Sequence, residues 1–201
     1  MKTLKGIVLL VLAGLPFQPC TADNIVAEGW MTHDMPLMAV EDPGLMSCPG
    51  GMVVLHPVMG IPVCSPEANI HVRDMLLTAA IDGSSDYVIG TGHIQANINW
   101  DEDGEGPYGG DFTIDVDNYD FTWVGTWTGK RKSVGDQWVS TLKGTAYAVG
   151  PAAPPYQMKF DMTYTSKALY PASYEMLNML LGTNFTGPEG VGTYVLKSVD
   201  E

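Results

Sequence analysis

His93-Ile-Gln-Ala-Asn-Ile-Asn-Trp100 alternates without exception. Ile94, Ala96, Ile98 and Trp100 take every second position, and His93, Gln95, Asn97 and Asn99 lie between them. Side chains of an extended chain point alternately to opposite faces, so this pattern predicts a strand with one buried and one solvated face. Burying a side chain such as isoleucine contributes about 1.5–3 kcal/mol. Burying an unpartnered amide costs about 1–3 kcal/mol. The apolar face is therefore expected inward. Only a polar interior would reverse this, and Asn97 and Asn99 would then become ligand contacts.

The same period continues downstream. Phe112, Ile114 and Val116 alternate with polar residues; Phe121, Trp123, Gly125 and Trp127 share a face. Gln137 to Val149 forms a long run, Met158, Phe160, Met162 and Tyr164 alternate, and Gly192 to Val199 reads as a closing strand. Short connections between such runs favour an antiparallel meander. Glycines recur inside the strands at Gly90, Gly92, Gly125, Gly129 and Gly144. Repeated strand glycines mark sharp bends, which favours a small closed or nearly closed barrel over a sandwich. The expected fold class is mainly β, with a Pro/Met-rich N-terminal extension and one or two short helices.

The cadence Trp123-Val-Gly-Thr-Trp-Thr-Gly129, then Leu142-Lys-Gly-Thr-Ala-Tyr-Ala-Val-Gly150, then Met158-Lys-Phe160 resembles secreted β-barrels of the calycin and allene-oxide-cyclase-like kind. The resemblance covers roughly residues 87–166, rests on strand-and-glycine rhythm, and transfers no site residue.

Upstream the chain is different. Lys2 and Lys5 precede an apolar run from Gly6 to Phe17, followed by small residues at Cys20 and Ala22. This predicts a secretory signal, residues 1–22, cut after Ala22. The run is shorter than the roughly 20 residues a membrane span needs, so no span is expected after its removal. Residues 23–86 are expected to form a disulfide-pinned extension, and 87–201 the barrel-like domain. Pro36, Pro43, Pro49, Pro57, Pro62 and Pro66 argue for loops and a short hairpin there, with Met52–His56 and Ile61–Val63 as its strands and Met59-Gly60 as the turn. Val72, Met75, Leu76 and Ala79 fall at helical spacing, which predicts a helix over His71–Ile81. A second short helix is expected over 174–181.

Charge and cysteines narrow the function classes. The 201-residue chain carries a formal charge of −13, and losing two lysines with the signal takes it to −15. Such a chain repels phosphate backbones, so nucleic acid is excluded as a partner, and cations or basic partners are favoured. After the cut only Cys48 and Cys64 remain, and an even count in a secreted or periplasmic protein predicts one disulfide. One glycosylation sequon, Asn184-Phe-Thr186, is present.

Three features could carry chemistry. Met31, His33, Met35 and Met38 offer soft ligands of the kind copper takes, though methionine equally serves as a flexible core filler. Asp101, Asp103 and Glu105 with Gly106 imitate the start of a calcium loop. The imitation stops at Pro107 and Phe112, and a solvated turn explains the same residues. Trp100, Trp123, Trp127, Trp138 and Tyr147 would bound an apolar ligand site if they line a hollow barrel, or form its core if the barrel is narrow. No catalytic constellation emerges. The leading expectation is a secreted, non-enzymatic binding or interaction protein, with Trp123, Trp127, Tyr147, Asn97 and Asn99 as candidate contacts for a small apolar ligand. The alternatives are an extracytoplasmic copper-binding protein and a barrel-cyclase-like enzyme.

Overall fold

A computed structural model describes residues 25–55, 62–135, 137–167 and 190–198. The expected signal segment and the expected helix at 174–181 lie outside them. The described residues form strands β1 (Ile25–Asp42), β2 (Leu45–Ser47), β3 (Val53–Leu55), β4 (Pro62–Cys64), β5 (Ile70–Gly83), β6 (Gly90–Trp100), β7 (Gly106–Val116), β8 (Thr122–Val134), β9 (Gln137–Val149), β10 (Tyr156–Lys167) and β11 (Gly190–Ser198). No helix occurs among the described residues.

From β5 to β11 each strand pairs antiparallel with the next, and β1 pairs with both β11 and β5. The result is a hydrogen-bonded ring of eight antiparallel strands, with β2 added on β5. The strand His93 to Trp100 behaves as its alternation requires: Ala96, Ile98 and Trp100 are buried with Phe112, Ile114, Trp123, Trp127 and Met162 in one core cluster.

Two expectations are corrected. Residues 25–42, read as loop, form β1, which contributes to the ring. Pro36 falls between the paired positions Asp34 and Ala39, where no ladder donor is demanded of it. His71–Ile81 is not a helix but part of β5. Val72 sits opposite Ile98 and Met75 opposite Ala96, so β5 carries one extra residue there, a β-bulge. The extra residue stretches one apolar interval from two to three and imitates helical spacing.

The outward amides of β6 hold this bulge. Asp74 has φ 57°, in the left-handed region that asparagine and aspartate tolerate best among residues with a Cβ. Its backbone N–H donates to Asn97 Oδ1 at 3.1 Å, and its carboxylate accepts from Gln95 Nε2 at 2.6 Å. Arg73 Nη2 donates to Asn99 Oδ1 at 2.6 Å, and its Nη1 to the carbonyl of Ile98 at 2.9 Å.

β3 and β4 form the expected hairpin as a separate two-stranded sheet. Its proposed turn, Met59-Gly60, lies outside the described residues. Cys48 and Cys64 are joined, with Sγ atoms 2.06 Å apart. The bridge closes a loop of sequence separation 16, so opening it by the double change Cys48→Ala and Cys64→Ala should cost about 3 kcal/mol. Urea unfolding of the two proteins measures this; equal midpoints would contradict it.

Candidate functional site

The interior of the ring is not completely filled. A cavity of about 120 Å³ lies against seven of the eight strands: Met31 on β1, Met75 on β5, Ile94 on β6, Phe112 on β7, Trp127 on β8, Leu142 on β9 and Met162 on β10 all face it. Among the described residues the lining is otherwise aliphatic or aromatic, with Thr113, Tyr108 and Trp100 as the side chains that carry a polar group, and Phe112 and Phe160 meet edge to face at 5.5 Å. An engineered cavity of about 150 Å³ with such walls stays dry and binds benzene.

The two ends of the interior differ. Where β8 begins, Tyr87 stacks on Tyr119 at 4.8 Å and meets Phe121 and Tyr156, and Trp123 closes the space beneath. Trp123 is fully buried, and its indole N–H donates to the carbonyl of Tyr87 at 2.6 Å. This end is an aromatic plug. Near the far end of β8, Trp100, Tyr108 and Trp127 pack edge to face at 6.0 and 5.2 Å. Arg131, only 4 % exposed, lies between two indoles, 3.6 Å from the ring centre of Trp138 and 4.2 Å from that of Trp100. A guanidinium on an indole face is attracted by the ring's negative face, more strongly when both are out of water.

Trp127 also explains a break in the ring. Ladder pairing between β6 and β7 lapses between Ile94–Phe112 and Asn97–Gly109. The Trp127 indole N–H reaches across to the Gln95 carbonyl at 3.1 Å instead. Gly110 permits the close approach: a Cβ there would lie 2.1 Å from that carbonyl oxygen.

The expected contact residues separate accordingly. Trp127 lines the cavity and Trp123 belongs to the plug. Tyr147, grouped with them from its place in the strand pattern, is 50 % exposed on the outer face, opposite Val124 and bonded to Gln157. It falls one residue out of phase with the inward Ala146. Asn97 and Asn99 also face outward, on the bulge. Of the copper candidates, Met31 lines the apolar cavity; the side chains of His33, Met35 and Met38 lie outside the described residues.

In the acidic turn, the Asp101 carboxylate accepts from the backbone N–H groups of Asp103 and Glu105, and Glu105 accepts from that of Ser133. These carboxylates serve as turn and strand caps. Among the described residues no group of three or more His, Cys, Asp or Glu side chains is placed to hold a metal ion, and no helix is long and apolar enough to cross a membrane.

Arg131 was the residue missed. Its signal was present: Trp123, Trp127 and Arg131 fall on the same parity of β8, so the tryptophans that face inward carry the arginine inward with them. Comparison with protein-family models, curated proteins and solved structures finds no match for the chain.

Proposed function

We propose that this is a secreted binding protein that holds a small apolar ligand inside a closed β-barrel formed by the eight-stranded ring. The observation that supports the reading is the cavity of about 120 Å³ with apolar walls from seven strands. Eight strands leave room for side chains or for one small ligand, and here the side chains stop short of filling the space. The size suits a molecule of about five to six heavy atoms, by comparison with the benzene-binding cavity of about 150 Å³. The disulfide supports a location outside the cytoplasm.

Benzene is the simplest probe. In benzene-saturated buffer the melting temperature should rise, because a ligand that binds only the folded state stabilises it by mass action. Ala96 is buried and lines the cavity, so Ala96→Leu should place its added carbons in the void, fold normally, and lose the benzene response. An unchanged melting temperature for the native protein, or a full response in the leucine variant, would overturn the proposal.

A further inference from the structure

The outer face of the ring carries a feature independent of the interior cavity. An open groove of about 700 Å³ crosses it from Glu41 on β1, past Leu76 on β5 and Asp111 on β7, to Val124 on β8 and Tyr147 on β9. Leu76, Val124 and Tyr147 are large side chains turned to solvent, 41, 44 and 50 % exposed. Val124 and Tyr147 are direct cross-strand partners, so their side chains adjoin. The carboxylates of the groove are Glu41 and Asp111. Among the described residues no lysine or arginine lines it, and His93 is its one titratable base. The neighbouring depression on the same outer face has the opposite balance, with Lys143 and Lys159 against Asp161. The acidity of the groove is therefore local.

We propose that this groove docks an extended basic segment of a partner protein, with cationic side chains at Glu41 and Asp111 and apolar ones at Leu76 and the Val124–Tyr147 pair. Charge complementarity is the first ground. The chain has a formal charge of −13, and a groove that offers carboxylates without lysine or arginine selects a cationic occupant. Length is the second. Strands β1, β5, β6, β7, β8 and β9 are successive neighbours, and neighbouring strands lie about 4.8 Å apart, so the path from Glu41 to Tyr147 is about 24 Å along the surface. A small amine can meet one carboxylate, whereas an extended segment of about seven residues spans the whole path. Spacing is the third. Asp111 stands three strands from Glu41, about 14 Å, and side chains four residues apart in an extended chain share a face about 13 Å apart. A lysine or arginine repeated at that interval meets both carboxylates and leaves the same-face positions between and after them for apolar residues.

The probe is the capped peptide Lys-Thr-Val-Thr-Lys-Thr-Leu, with a copy carrying glutamate for both lysines as its control, each titrated by NMR into the disulfide-bonded protein. The lysine peptide should bind saturably, with amide shifts concentrated around Leu76, Asp111, Val124 and Tyr147, and the glutamate peptide should not bind. Glu41→Gln combined with Asp111→Asn should weaken the lysine peptide about tenfold, since one exposed ion pair contributes up to about fivefold. Both positions are exposed, and glutamine keeps an acceptor for the Thr78 hydroxyl that donates to Glu41, so the variant should fold. Glu102→Gln combined with Asp120→Asn removes the same charge from exposed positions outside the groove, and should weaken binding less than about twofold because solvent and salt screen distant charges. Equal losses from the two double variants would show that the peptide answers only to overall charge and would overturn the docking site. So would a lack of saturable binding to the native protein, and neither result bears on the benzene response of the cavity. Should the groove variant fail to fold, the native protein still decides: shifts spread evenly over the acidic surface would refute the groove.

Discussion

Ile98→Asp should leave the protein unfolded in buffer at room temperature. Ile98 is 2 % exposed and faces the cavity from near the end of β6, opposite Val72 on one side and Tyr108 on the other. Losing its burial forfeits about 1.5–3 kcal/mol. The new carboxylate would sit among apolar walls with no described cation lining the cavity, and an unpaired buried charge costs several kcal/mol more. Together these rival the whole stability of a typical domain, about 5–15 kcal/mol. Near-ultraviolet circular dichroism should lose its tryptophan signal, and a native-like spectrum with a cooperative melt would refute the inward placement. The neighbouring Asn97→Ala is the control. It removes only the acceptor for the Asp74 N–H, should cost about 1 kcal/mol, and should leave the ring and its cavity intact.

The second large effect is at the opposite end of the interior. Trp123→Ala should destabilise by about 3–5 kcal/mol, the range for emptying a fully buried tryptophan site. The indole is wholly inaccessible, meets Phe121 edge to face at 5.5 Å, and supplies the N–H that the Tyr87 carbonyl accepts. Its loss would remove the support beneath the Tyr87–Tyr119 stack. Trp123→Phe should recover most of the packing but not the hydrogen bond, and so fall between the two in urea unfolding. A loss below about 1 kcal/mol for the alanine variant would show that the plug is not a structural element.

Much of this architecture was legible where one physical rule acted alone. On β6, β7 and β8 each residue either faces the core or does not, so the period of two survives in the sequence and places Ile98, Ile114 and Trp123 correctly. It failed where a second demand intervened. The bulge at Arg73 and Asp74 inserts one residue into β5, and a strand with one stretched interval cannot be told from a helix by spacing alone. Strand β1 was hidden because it pairs with two partners across a changed register and carries Pro36 where the pairing lapses. The disulfide was readable from cysteine count because only one pairing existed after the expected cut. The site was only half readable. Which aromatics face inward follows from parity, which puts Tyr147 on the outer face beside the inward Ala146. Whether the interior is filled depends on summed side-chain volumes across seven strands, which no local pattern records.

The closing contact of the ring has a consequence for how the chain reaches this state. Ile25 lies opposite Lys197, so the seam joins the first described strand to the last. Consecutive hairpins from β5 to β10 need only short loops and can assemble locally. The β1 seam must draw together parts of the chain separated by nearly its whole described length, and that entropy is not repaid until the contact forms. Refolding should therefore be slow for a domain of this size, in the millisecond-to-second range typical of non-local β topologies. Until the seam closes, β1 and β11 present bare edges that another chain can join. Concentration during refolding, more than the stability of the finished ring, would then decide how much of the protein ends as monomer and how much as aggregate.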